Sequence, residues 1–161
     1  MAERHRGVDV WPIAWALVGV GMLFAFAVLR LGRRGLHTIQ QGLAPWQWLV
    51  LAASTVLLVY VEGAGALARR WVPRVIGRAA ALRHEQRPTF RLLAPLYVMS
   101  LIAAPRADWL RAWATTTAIV VAVLLVRTFP EPWRGITDVA VACGLLWGLG
   151  AILAQAPRAF R

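Results

Sequence analysis

The clearest candidate for chemistry is Glu62, which lies inside an apolar run and is followed by Gly63 and Gly65. At about 1.5 Å per helical residue, Glu62 lies about 10 Å from the basic boundary that begins at Arg69. A carboxylate at that depth has to be paired, protonated or hydrated. Two interpretations remain open: a site for a cation or proton, and a structural ion pair with Arg69, Arg70 or an arginine of another helix. The position near the boundary favours the ion pair.

The segment 69–88 is the second candidate. If a helix opens at Pro73, apolar side chains such as Val75 and Ile76 share one side, and arginines recur every four residues on another side. This pattern predicts an amphipathic helix that lies on the membrane surface. Its basic side predicts contacts with anionic headgroups or with a partner protein. The predicted contact residues are Arg69, Arg70, Arg74, Arg78, Arg83, Arg87 and Trp71.

Two pairs of small residues predict close helix packing. Gly144 and Gly148 are four residues apart in one apolar run, and Gly21 and Ala25 have the same spacing in another. Small residues one helical turn apart expose backbone and let a second helix approach closely. Two alternatives remain for the packing partner: another of the four helices of the same chain, or a second protein.

The patterns of conventional enzymes do not occur in this sequence. It contains no nucleotide-binding glycine loop, no nucleophile elbow and no pair of catalytic carboxylates. The histidines lack partners at metal-ligand spacing, and the lone Cys143 lies in an apolar run, so no metal site is predicted. The sequence therefore predicts a non-enzymatic protein, and it implies no cofactor.

The composition is that of an integral membrane protein. Hydrophobic residues make up 60% of 161 positions, against roughly 45–50% in soluble domains. The net charge is +11, but the arginines sit at the ends of apolar runs, which argues against nucleic-acid binding. The sequence predicts one all-α membrane domain over 1–161. Its four predicted spans are 11–30, 46–67, 109–128 and 136–156.

The stretch 92–104 decides between four spans and five. It is too short to cross a core of about 30 Å and it is interrupted by prolines, so a buried or re-entrant segment is favoured. The four-span arrangement also places thirteen of the eighteen arginines on one side of the membrane. The positive-inside rule then predicts that both termini are cytoplasmic, in a bacterial-type inner membrane. Five spans remain the alternative.

Local sequence signals also predict where the first span ends and where the fourth span begins. Arg30, Arg33 and Arg34, with two nearby glycines, predict the end of the first span. Thr137 and Asp138 predict the capped start of the fourth span.

These features predict interfaces and no reaction. We therefore expect an accessory, structural or assembly subunit of a larger membrane complex, which contacts lipid headgroups and other membrane subunits or copies of itself. The alternative is a small oligomeric transporter or channel that uses Glu62.

Overall fold

The structure, a computed structural model, describes residues 10–84 and 87–160. Residues 85 and 86 of the predicted segment 69–88 lie outside these ranges, as do residues 1–9 and 161. The described residues form helices joined by turns, without a strand. The helices are α1 (Trp11–Gln40), α2 (Pro45–Leu58), a π-helical segment (Val59–Trp71), α3 (Val72–Ala81), α4 (Pro88–Leu92), α5 (Ala94–Val98), α6 (Arg106–Arg127) and α7 (Trp133–Gln155).

Four helices are long and apolar enough to span a membrane, which confirms the predicted all-helical fold and indicates a multi-pass membrane protein. They are Trp11–Gln40, Pro45–Ala81, Arg106–Arg127 and Trp133–Phe160. Each predicted span coincides with one of these helices, although the span predicted at 109–128 extends one residue beyond Arg127. Residues 88–104 contain no helix long enough to form the alternative fifth span.

Helix α1 is longer than the predicted span, and the prediction that it ends at Arg30 to Arg34 was wrong. It continues to Gln40, and the chain turns at Gly42, whose φ of 91° is favourable only for glycine. Gly35, interpreted from sequence as a helix stop, lies inside the helix. Its missing side chain instead lets α7 approach, because a Cβ there would overlap with Val139.

The second long helix also has no break where the sequence changes from apolar to basic. Residues 45–81 form one continuous helix, in which α2 passes through the π-helical segment into α3. The apolar side of α3 is buried by the protein itself and not by lipid: Val72 and Ala79 are fully buried, and Val75 and Ile76 nearly so. The apolar side of residues 72–81 therefore packs inside the protein and does not lie on a membrane surface.

Residues 88–104 form two short helices and a set of turns. Ala94 and Val98 of α5 are buried, and Pro95 packs against α1 at Gly19, where a side chain would overlap with the proline ring. Trp15 donates a hydrogen bond of 3.0 Å from its indole nitrogen to the carbonyl oxygen of Leu92. This segment is therefore packed along the start of α1.

The start of α7 differs from the prediction. The helix begins at Trp133, so Thr137 and Asp138 lie in its second turn and do not cap it. The Thr137 hydroxyl donates to the carbonyl oxygen of Trp133 at 3.0 Å, within the helix. Asp138 is buried, with 5% of its surface exposed.

The hydrophobic core is concentrated at one end of the bundle, here called the terminal end. The start of α1, all of α3, α5, the last turn of α7 and residues 156–160 meet there, around buried residues such as Ile13, Leu82, Ile152 and Ala159. The opposite end, here called the turn end, contains the end of α1, the start of α2 and the turn between α6 and α7. Trp46 and Trp133 contact each other at the turn end, with ring centroids 5.3 Å apart.

Helix α6 stands apart from this packing. None of its 22 residues is buried. It is anchored near its start by Trp113, whose indole nitrogen lies 3.3 Å from the carbonyl oxygen of Leu101, and at its other end by the turn into α7.

Substituting Gly35 by alanine tests the close approach of α1 and α7. The added methyl group would overlap with Val139, so we expect a cost of about 1–3 kcal/mol. Gly32→Ala is the matched control. Gly32 lies in the same helix with no atom within 4 Å of the place that a Cβ would occupy, and alanine favours helix over glycine by about 1 kcal/mol. Thermal unfolding in detergent should show a lower Tm for Gly35→Ala only. Equal Tm values for both variants would contradict the packing.

Candidate functional site

A polar cavity lies at the turn end, between the last turns of α1 and the start of α7. Two close approaches bring these elements together: Gly35 faces Val139, and Gly135 faces Thr38, each without room for a Cβ. Because each glycine makes room for a side chain of the other helix, the two helices lie close together and their polar residues converge on one space. That space has a volume of about 280 Å³.

The lining of this turn-end cavity is mostly basic. The Thr38 hydroxyl, which is buried, lies 3.1 Å from Oε2 of Glu131 and 3.3 Å from the carbonyl oxygen of Arg34, and it can donate its proton to either. The first of these contacts holds the Glu131 carboxylate at the wall of the cavity. The lining residues are Arg33, Arg34, His37, Thr38, Glu131 and Arg134.

A buried carboxylate lies beside the cavity. Asp138 is one helical turn beyond Arg134 and interacts electrostatically with Arg134 and Arg34. Its Oδ2 atom is buried and has no hydrogen-bond partner among the described residues. Within the described part of the chain, no ion pair joins Asp138 to either arginine.

Sequence reasoning missed this site. Arg33 and Arg34 were interpreted as a helix stop, Asp138 as a helix cap, and His37 was given no role. One signal was available, since Arg134 and Asp138 are spaced i and i+4 at the edge of an apolar run, which is the spacing of an ion pair on a helix. The contribution of α1 had no local signal, because it depends on the packing of residues about a hundred positions away.

Glu62 is exposed on the outer surface of the π-helical segment. Among the described residues no ion pair joins its carboxylate to Arg69, Arg70 or an arginine of another helix. An ion pair does form elsewhere, within α6, between Arg111 and Asp108. The neighbouring Gly63 does make a close contact, because a Cβ there would lie 3.1 Å from the carbonyl oxygen of Gly144. The structure thus places Glu62 away from the helices of its own chain.

The predicted contact residues of segment 69–88 separate into two groups. Arg69, Arg70 and Arg74 are exposed, and Arg87, also exposed, lies over the Phe90 ring at 5.6 Å from its centroid. The others pack more deeply against the protein. Trp71 stacks on Phe24 with centroids 5.4 Å apart, and Nη2 of Arg83 donates to the carbonyl oxygen of Ala159 at 3.2 Å.

Arg78 holds the chain that follows α5 against α3. Its guanidinium donates to three carbonyl oxygens: Tyr97 at 2.8 Å, Ile102 at 3.3 Å and Ala103 at 3.2 Å. It also lies over the Tyr97 ring, 4.3 Å from the centroid. This side chain was predicted to contact headgroups, and the structure directs it to the backbone of residues 97–103.

The predicted packing residues lie at contacts within the bundle. Gly144 faces the backbone of Leu58, and a Cβ at Gly148 would lie 2.7 Å from Cδ1 of Leu67. The Gly21 and Ala25 pair shows no such close approach: a Cβ at Gly21 would make an ordinary contact of 3.8 Å with Cδ1 of Leu149, and Ala25 is half-buried. Packing among the helices of one chain therefore accounts for the glycine pair.

No family model, curated protein or solved structure matches this chain. Among the described residues, no group of three or more His, Cys, Asp or Glu side chains is arranged to hold a metal ion. The functional argument therefore rests on the geometry of the chain itself.

Replacing Arg78 by glutamine should destabilise the terminal end. The change removes charged hydrogen bonds to three carbonyl oxygens, for which we expect a loss of roughly 2 kcal/mol. Arg74→Gln is the matched control, because Arg74 is exposed and its Nε donates within its own helix, to the carbonyl oxygen of Arg70. Unfolding in detergent, with limited proteolysis at residues 99–104, measures both. A similar loss in the two variants would show that the contacts of Arg78 are not stabilising.

Proposed function

We propose that this protein is a non-enzymatic accessory, structural or assembly subunit of a larger membrane complex. We assign it to a bacterial-type inner membrane, with both termini in the cytoplasm. The observation that carries the proposal is α6, a helix of spanning length without a buried residue. The remaining spans pack together through glycines, whereas α6 leaves its whole length available to another protein.

The residues of α6 favour a helix as the partner. Ala114, Ala118 and Ala122 recur every four residues and are all exposed. A row of small residues lets the backbone of another transmembrane helix come close, and this close packing drives helix association where lipid and leucine are equally apolar. The opposite surface carries branched apolar side chains, such as Val120 and Leu124, which lipid can cover.

The basic residues at the terminal end support the proposed orientation. Arg69, Arg70 and Arg74 are exposed where the second long helix leaves the apolar region. Each arginine near an anionic leaflet contributes about 1 kcal/mol at low salt. These side chains would therefore hold the terminal end against the cytoplasmic headgroups or against an acidic partner.

Substitution of Ala118 by leucine tests the alanine row. Leucine is as compatible with lipid as alanine, but it would keep a partner helix from approaching, so the complex should be lost while the Tm of the isolated chain stays unchanged. Val120→Leu, on another side of α6, is the matched control and should retain the complex. The measurement is the mass of the detergent-purified complex and the identity of its subunits.

Co-purifying subunits at fixed stoichiometry, lost in Ala118→Leu and kept in Val120→Leu, would support the proposal. A pure homo-oligomer would instead support the second candidate, and retention of the subunits in both variants would contradict the role of the alanine row.

The second candidate is a small oligomeric transporter or channel, and the exposure of Glu62 favours it. A carboxylate that faces hydrocarbon is costly, so a neighbouring chain, a proton or a cation has to stabilise it. In an oligomer, the Glu62 side chains of several copies could line a shared path. Exposed threonines in α6, Thr115 and Thr117, would add hydroxyl groups.

Glu62→Gln distinguishes the two candidates. The substitution removes the titrating charge but keeps the shape, and we expect little change in the Tm of the single chain because Glu62 is exposed. The measurement is proton or cation flux in liposomes containing wild-type or variant protein. The neutral control is Ala66→Ser, which is exposed on the same segment. Flux in the wild type that is lost in Glu62→Gln but kept in Ala66→Ser would overturn the accessory-subunit proposal.

A further inference from the structure

The turn-end cavity lies at the depth of lipid headgroups. About 20 helical residues cross a hydrocarbon core of about 30 Å, so a span that begins at Trp11 leaves the core near Leu31. Arg33, Arg34 and His37 come after that point in α1. The contact between Trp46 and Trp133 lies at the same end, as expected for an interfacial aromatic belt.

The charges of the cavity suit a phosphate group. Three guanidinium groups line it against one carboxylate, and the Thr38 hydroxyl contacts that carboxylate. Arginine binds phosphate through paired N–H donors, and its guanidinium is charged at every physiological pH. A volume of about 280 Å³ lies just below the roughly 300–1,000 Å³ of pockets that enclose whole small molecules. The cavity therefore suits a headgroup and not a complete lipid.

An open apolar groove lies at the turn between α6 and α7. It is lined by Phe129, Pro130, Trp133 and Thr137 and has a volume of about 270 Å³. Trp133 of this groove directly precedes Arg134, which lines the cavity. The groove lies where α6 and α7 leave their shared turn. Beyond it, the exposed apolar surface of α6 continues towards the middle of the membrane. A molecule with a charged head and an apolar chain matches this arrangement of a basic cavity and apolar surfaces.

We propose that the turn-end cavity binds the phosphate group of a phospholipid, with one acyl chain in the groove formed by Phe129, Pro130, Trp133 and Thr137. Arg34 and Arg134 are the principal phosphate ligands, because one comes from α1 and the other from α7 and both line the cavity at the junction of these helices. This site belongs to a single chain, and it holds whether or not a partner packs on α6.

The test is a lipid titration of the full-length protein in detergent, followed by native mass spectrometry. The probes are phosphatidylglycerol, diacylglycerol with the same chains, and inorganic phosphate. The cavity variant is Arg34→Gln with Arg134→Gln. The matched control is Arg30→Gln with Arg127→Gln, because these exposed arginines belong to the turn end, carry the same charge and do not line the cavity.

We expect the cavity variant to weaken phosphatidylglycerol binding about tenfold or more and the control to weaken it by less than about twofold. Diacylglycerol should bind the wild type more weakly than phosphatidylglycerol does. Equal weakening in the two variants, or equal binding of the two lipids, would overturn the proposal. Inorganic phosphate that binds through the cavity arginines, without cavity-dependent lipid binding, would assign the site to a free anion and overturn the lipid as its source.

A second cavity variant keeps the test decisive if the glutamine pair does not fold. Arg34→Lys with Arg134→Lys retains both charges but loses the paired donors of the guanidinium, so phosphatidylglycerol binding should weaken several-fold with an unchanged Tm. Lipid binding as tight as that of the wild type would show that charge at the turn end, and not recognition in the cavity, holds the lipid.

Discussion

The close approach of helix backbones at glycine is the constraint on which this structure depends. Between helices in a membrane, burial of apolar side chains supplies little net attraction, because lipid is equally apolar. Stability has to come from dense packing and polar contacts. Gly35 and Gly135 bring α1 against α7, and Gly63, Gly144 and Gly148 bring α7 against the second long helix. At the turn-end cavity, the two glycines of the first pair make room for the side chains of Val139 and Thr38, so that α1 and α7 lie close together.

The two ends of the bundle show different solutions to this constraint. At the terminal end, α3 and α5 add a conventional apolar core, and Arg78 fixes the chain after α5 through carbonyl oxygens. At the turn end, a smaller number of polar side chains, including Thr38 and Asp138, are buried between helices. Interactions of buried charges are strong only where their partners are held in place. The rigidity of the terminal end therefore supports the geometry of the turn end through the shared helices.

Much of the fold could be predicted from the sequence, because spanning helices are specified by local hydrophobicity and by interfacial tryptophans. The boundaries were less predictable, since one residue type serves several purposes. Gly35 can end a helix or admit a neighbour, and only the position of Val139 decides. Thr137 and Asp138 resemble a cap but follow a helix that has already begun at Trp133. Arg78 gives the same periodic signal as Arg74, although Arg78 binds the backbone of residues 97–103 and the exposed Arg74 donates only within its own helix.

The unequal lengths of the spanning helices affect how the protein adapts to bilayers of different thickness. Helix α1 has 30 residues, which is about 45 Å, whereas α6 has 22, or about 33 Å. In thinner or thicker membranes, hydrophobic mismatch is relieved most easily by tilting the helix with the fewest packing contacts. Helix α6 can tilt almost alone, while α1 is held by α7. Bilayer thickness would therefore change the angle between α6 and α7, and with it the width of the groove beside Trp133.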